Sequence, residues 1–139
     1  MILLDTNVIS EPWKPAPDAN VLIWLDAQTI ETLFISAISI AELRFGIASM
    51  PSGKRQTILH NRLEGEVLPH FEGRILPFNV GTSQLYAQLM AGARGSGKTI
   101  GNADGYIAAT AAENHLVVAT RDTSPFEAAE LKVINPWVA

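Results

Sequence analysis

The sequence predicts an α/β domain of three layers, a mostly parallel sheet of about five strands flanked by helices. Three observations predict it. Short apolar runs recur along the 139 residues and none of them alternates with polar residues; strands apolar on both faces belong to parallel sheets covered on both sides. The stretches between these runs carry helical spacing instead. Strand and helix then alternate from one end to the other, with no repeat, low-complexity stretch or linker, so residues 1–139 read as one domain.

The first run is Ile2-Leu3-Leu4, closed by Asp5. A Pro-rich loop, Pro12 to Pro17, follows, and Val21, Leu22 and Leu25 mark a short helix. Leu33-Phe34-Ile35 reads as the second strand, and Ile38 to Met50 as a helix apolar nearly all round. Ile58 to Phe71 forms a third helix that carries much of the polar surface, and Ile75-Leu76 with Phe78 a third strand. Helices over Thr82 to Ala93 and Ala103 to His115 precede the strand Leu116 to Ala119. Ser124-Pro125-Phe126-Glu127 opens the last helix, with Ser124 expected as N-cap, Pro at the first helical position and Glu three residues after the cap. Val133-Ile134 closes the sheet.

Composition excludes several classes of function. The chain has no cysteine, which removes disulfides, thiolate zinc sites and thiol nucleophiles, and fits a reducing compartment. Met1-Ile2-Leu3-Leu4 has no basic region before it and meets an acid at Asp5, so no secretory signal is expected. No run approaches the roughly 20 apolar residues of a membrane span. A cytoplasmic protein is the expectation. A formal charge of −4 argues at first against a nucleic-acid partner. His60, His70 and His115 lack the spacing of a zinc site, and no G-x-S-x-G elbow is present.

Gly92 to Thr99 matches the phosphate-loop pattern G-x-x-x-x-G-K-[ST]. That motif works when a strand runs into the loop and a helix leaves it. Here the preceding Ser83 to Met90 has helical periodicity, so the expected reading is a basic loop between helices. A nucleotide-binding protein remains a rival reading. Arg94 and Lys98 could still touch a phosphate backbone from that loop.

Four acids stand where a structural acid is not the obvious choice. Asp5 closes the first strand, and ligands of parallel sheets bind at carboxyl ends of strands; its plain alternative is a cap for Thr6 to Ile9. Glu42 falls within about 60° of Ile38 and Phe45 on its helix wheel, where burial without a partner is rare; a buried salt bridge, with Arg44 or a more distant Arg, is the alternative. Asp104 shares a face with Ile107, Ala108 and Ala111, and Asn102 is available as the cap, although an acid in a first turn also suits the helix dipole. Asp122 follows the fourth strand with Ser124 expected to take the capping task, and turn formation is its alternative.

If these four converge, they cannot all stay ionised unaided: two like charges about 4 Å apart repel by roughly 4 kcal/mol at an effective dielectric of 20. An all-oxygen cluster suits Mg²⁺ or Mn²⁺, which lowers the pKa of bound water and orients a phosphodiester. Metal-dependent phosphoryl hydrolysis is the chemistry such a site performs. Thr6 and Thr120 are the hydroxyls best placed to hold a water or a carboxylate. Arg44, Arg94, Lys98 and Arg121 are the candidate substrate-gripping cations.

The opening Ile2 to Ile9, the segment Ser36 to Gly46, the run Ala103 to Ala111, the turn Val118 to Asp122 and Asn135-Pro136-Trp137 together resemble the PIN-domain toxins of the VapC family, most of all the FitB-type members. The resemblance runs from the first strand to the last residues. It implies a Mg²⁺- or Mn²⁺-dependent ribonuclease with Asp5, Glu42, Asp104 and Asp122 as its acidic, metal-holding cluster. It also implies a toxin that forms homodimers and is silenced by a small antitoxin whose DNA-binding domain takes the complex to its operator. Many relatives carry an acid immediately before the position of Phe126, and this chain has Pro125 there. If that acid helps hold a second ion, this chain relies on one. A second rival is a non-catalytic module that binds RNA or serves as a corepressor.

With the four acids set aside, 14 − 4 = 10 acids face 10 bases. The net charge then resides in one cleft, and acidity no longer excludes a nucleic-acid substrate.

Overall fold

The computed structural model describes residues 1–138. Its sheet has the strands β1 (Ile2–Leu4), β2 (Leu33–Ser36), β3 (Ile75–Leu76), β4 (Val117–Ala119) and β5 (Val133–Ile134), all parallel, in the order β3-β2-β1-β4-β5. From β1 the chain builds outward on one side through β2 and β3, then returns to add β4 and β5 on the other. That reversal opens a crevice beyond the carboxyl ends of β1 and β4. Leu4 is in register with Ile35 and Ala119, so Asp5, Ser36 and Thr120 sit side by side at the top of the three central strands.

Alternation along β1 divides the core. Leu4 joins Val8, Ile9, Ile35, Leu43, Ile47, Leu59 and Ala119 on one face, and Leu3 joins Ile107, Ala108, Val118 and Phe126 on the other. The first face is covered by α1 (Thr6–Ser10), α2 (Ala19–Asp26), α3 (Ala37–Ala48) and α4 (Lys54–Arg62). A π-helical turn, Leu63–Val67, joins α4 to the short α5 (Leu68–His70). Pro69 explains that turn: it has no N–H for the carbonyl of Gly65, and the Leu68 N–H reaches back to Leu63 instead.

The second face is covered by α6 (Val80–Gly95), α7 (Asn102–Glu113) and α8 (Ser124–Ala128). Thr82 at the start of α6 donates to Glu113 Oε1 at the end of α7, 2.7 Å away, so the two helices run antiparallel. Their connecting loop therefore lies at the end of α7 that carries Asp104. The small residues of α7 allow a close approach to α6. A Cβ added at Gly105 would lie 2.7 Å from Met90 Sδ and 3.0 Å from Tyr86 Cε2.

Every expected strand and helix is present, with ends moved by a few residues and the helix expected over Ile58 to Phe71 interrupted by the π turn; α1 is the helix that the capping alternative for Asp5 required, and short 3-10 turns at Glu11–Trp13 and Ile30–Thr32 are additional. Two expected caps are corrected. Ser124 is the first residue of α8 and not its cap; Thr123 precedes it and makes no side-chain capping bond. Asn102 is likewise inside α7, whose N-cap is Gly101. Among the described residues no helix is long and apolar enough to cross a membrane.

Phe126 is fully buried and is the side chain through which α8 is anchored. Phe126→Ala is expected to lower the unfolding free energy by about 3–5 kcal/mol, read by urea denaturation. A loss below about 1 kcal/mol would show that α8 is held by other contacts.

Candidate functional site

Asp5 extends the ladder by one residue, its N–H donating to Ala119 O at 2.9 Å, and its side chain then turns into the crevice. It is 6% exposed. Both carboxylate oxygens are engaged: the Thr6 N–H donates to Oδ1 at 2.8 Å and the buried Thr120 hydroxyl to Oδ2 at 2.8 Å. Asp5 is thus the cap of α1, as its plain reading had it, and also the deepest carboxylate of the crevice.

Glu42 reaches the same place from α3. Its Oε1 lies 2.7 Å from Thr6 Oγ1, which in turn lies 2.8 Å from the buried Ser39 hydroxyl. Thr6 has one proton to give, so it donates to the carboxylate and accepts from Ser39. The expectation of a buried Glu42 is corrected, because α3 is apolar on one side only. Glu42 is exposed, and Phe45, expected beside it on an apolar face, is 74% exposed. Nor does Arg44 pair with it: that guanidinium makes a two-pronged ion pair with Glu64, at 2.7 and 3.1 Å, on the flank between α3 and the π turn.

Asp104 stands in the first turn of α7 and Asp122 in the loop from β4 to α8, the latter exposed. The electrostatics tie all four together. The Asp5 carboxyl is pushed up from 3.8 to about 6, first by burial, against the hydrogen bonds from Thr120 and Thr6, with repulsion from Asp104 and Glu42 adding to the rise. Asp104 is raised by burial, then by repulsion from Asp122 and Glu42. The charged groups that shift Asp5 and Asp104 are acids, like charges facing one space.

Two residues that spacing alone did not single out complete the frame. Ser39 supports Thr6 from below. Asn7 Nδ2 approaches Asp5 Oδ2 and Thr120 Oγ1 at 3.5 Å each, and its Oδ1 accepts from the Arg121 N–H at 3.4 Å. Asn7 therefore ties the turn after β4 to the end of β1. Its place in the first turn after Asp5 is the only signal of this in the sequence.

The candidate cations are distributed unevenly. Lys98, at the tip between α6 and α7, lines a cleft of about 610 Å³ with Thr99, Asp122, Ser124, Pro125 and Glu127. Where an acid before Phe126 is missing, Glu127 on the same turn supplies a carboxylate to this cleft. Arg94 lies outside it, in a groove with Met90, Lys98 and Ile100. Arg121 is beside the acids, its guanidinium 5.6 Å from the centre of the Trp137 ring.

The Gly92 to Thr99 segment has no phosphate-loop geometry. Gly92 to Gly95 are the last turn of α6, and the N–H groups of Ser96, Gly97 and Lys98 return to the carbonyls of Gly92, Ala93 and Arg94. The amides of Ser96 to Lys98 are therefore not free to cradle a phosphate, and a helix C-terminus presents negative potential to it.

The donor set fits a hard divalent cation. All the candidate ligands are carboxylate oxygens, and the burial and mutual repulsion of Asp5 and Asp104 are what a bound cation would relieve. Among the described residues no three acids or histidines close into a ready-made cage. The fit is that of an open site, in which an ion keeps several waters.

The model of the PIN domain family matches residues 2–131 of the chain. The chain is 68% identical over 137 residues to the VapC ribonuclease Y4jK of Sinorhizobium fredii, covering 99% of this chain and 98% of that protein. It is 54% identical to the toxin FitB of Neisseria gonorrhoeae, with 99% of each covered. A solved structure of FitAB bound to an IR36 DNA fragment superposes with a TM-score of 0.97 at 51% identity, covering 100% of this chain and 97% of that one.

Proposed function

Because the chain belongs to the PIN-domain family, among relatives named VapC ribonuclease and FitB toxin, we propose that it is a divalent-metal-dependent endoribonuclease and the toxin of a toxin–antitoxin pair. The observation that carries this reading is the meeting of Asp5, Glu42, Asp104 and Asp122 over the crevice, with Asp5 raised by burial and by Asp104 and Glu42, and Asp104 raised by burial and by Asp122 and Glu42. Phosphodiester hydrolysis by a hard divalent ion needs such a cluster of oxygen donors.

In this reading the four carboxylates hold Mg²⁺ or Mn²⁺. The ion, when bound, supplies a Lewis acid for the phosphate and lowers the pKa of water. The chain's own residues do the positioning. Thr120 and the Thr6 N–H fix the plane of the Asp5 carboxylate through its two oxygens, which leaves the outward lone pairs free for a ligand. Ser39 orients the Thr6 hydroxyl, and Thr6 orients Glu42. The acids repel a polyanion, so a substrate strand needs cations at the rim, and Lys98 beside Asp122 is placed to meet a phosphate there. Arg44 already has a carboxylate partner, which makes it the weakest of the four candidate grips.

The partners follow from the same reading. They are a small antitoxin with a DNA-binding domain, operator DNA reached through it, and a second copy of this chain in a homodimer. The DNA-bound FitAB assembly supports the operator part of this proposal.

The test is cleavage by the chain purified free of partner, with structured and single-stranded RNA in Mn²⁺, in Mg²⁺ and in EDTA. Cutting is expected with either ion, is abolished by EDTA, and is lost in Asp104→Asn. Cutting that persists in EDTA would overturn the metal reading. Metal binding and RNA binding without cleavage would leave a silent RNA-binding module.

A further inference from the structure

Arg121 immediately precedes Asp122, and its N–H is tied to Asn7 at the edge of the acidic crevice. Among the described residues its guanidinium makes no ion pair within 4 Å, unlike that of Arg44, although the Glu11 carboxylate is near enough to feel its charge. Instead it lies over the ring of Trp137. Trp137 is itself firmly placed. Its N–H donates to Asn135 Oδ1 at 2.9 Å, its carbonyl accepts from Asn20 Nδ2 of α2 at 3.0 Å, and its side chain packs against the apolar cluster containing Leu4 and Val8.

An indole face orients a guanidinium without neutralising it. The contact with the ring takes up none of the five N–H donors of Arg121, whose fork matches the paired oxygens of a phosphate. The location also matters. Trp137 packs on the α2 face of the sheet, whereas the Lys98 cleft lies on the α8 face, with Asp122 between them.

We propose that Trp137 is a positioning residue that holds Arg121 as a clamp for a backbone phosphate of the RNA strand, adjoining the phosphate that is cut. This inference rests on the nuclease reading above. The strand then crosses the carboxyl edge of the sheet with one cation on each side of the acids. Each cation offsets part of the repulsion that the four carboxylates impose on the polyanion.

The experiment measures anisotropy of a short fluorescent single-stranded RNA, in the Asp104→Asn background, against salt concentration. Steady-state kinetics are run in parallel on otherwise wild-type protein. Arg121→Gln is expected to lower the slope of log affinity against log salt by about 0.7, the value for one phosphate on a single strand. Trp137→Leu is expected to raise KM severalfold with kcat nearly unchanged, and Trp137→Phe to restore KM. Unchanged affinity, slope and KM in both Arg121→Gln and Trp137→Leu would overturn the clamp while leaving the nuclease reading intact. So would a loss in Trp137→Leu that merely follows a lowered melting temperature and is not restored by Phe. A chain that neither binds nor cuts RNA overturns both.

Discussion

Asp5→Asn is expected to abolish cleavage and at the same time to make the metal-free protein more stable. Loss of activity should exceed about 100-fold, the upper end for removing a group that only supports a metal ligand. The gain in stability follows from linkage. The folded state holds the Asp5 proton more tightly than the unfolded chain, with a pKa of about 6 against 3.8. The stability associated with that proton is fully present below about pH 4 and is lost as the pH rises through about 6. Near pH 7.5 the wild type carries the whole penalty of a desolvated carboxylate facing Asp104 and Glu42. Asparagine is free of it. The loss of a charge-accepting oxygen at Thr120 offsets part of the gain, although that hydroxyl can turn to the Asp122 carbonyl, 3.3 Å away. The net is of order 1–3 kcal/mol, or several degrees in melting temperature for a chain of this length. The difference between mutant and wild type should vanish near pH 4 and be complete above pH 7. A mutant less stable than wild type at pH 7.5 would show that the hydrogen bonds to Asp5 outweigh its repulsion.

The second large effect is the reversal of that pH dependence by metal. A divalent ion binds the ionised carboxylates, so its affinity should climb as the pH rises through about 6 and proton release should accompany binding. At about 100 times its dissociation constant Mn²⁺ adds some 2.7 kcal/mol to the folded state. Thermal scans at pH 7.5 should show this shift, and scans at pH 5 should show little of it. Asp5→Asn should show none at either pH. An equal shift at both pH values would mean that the ion binds somewhere other than this crevice.

The sheet was legible in the sequence because its strands are apolar on both faces, a pattern with few other uses. Asp5 and Asp122 stood out for a related reason: Asp5 closes such a run, and Asp122 lies in the turn that leaves one. The supporting arguments were less secure. Ser124 and Asn102 looked like caps, and both lie one position inside their helices, because cap geometry depends on the angle at which the chain enters. Glu42 drew attention as an acid expected to be buried, and it lies in the open. What brings it to the crevice is its bond to Thr6, 36 residues away, which no periodicity encodes. The roles of Ser39 and Asn7 were not legible for a related reason: a buried hydroxyl and a turn amide are ordinary until the groups they touch are known. Arg44 shows the converse. Its partner Glu64 is 20 residues off, on a π turn forced by Pro69, so the sequence offered no sign that this cation is already engaged.

The order β3-β2-β1-β4-β5 also has a temporal meaning. During translation the segment bearing Asp5 emerges well before Thr120, its hydrogen-bond partner 115 residues later. At elongation rates of about 5–20 residues per second, roughly 6–23 s separate the two. Through that interval a nascent chain has β1 open along one edge, and neither Thr120 nor Asp122 exists to complete the crevice. A site built on this topology is incomplete until β4 has been made and docked.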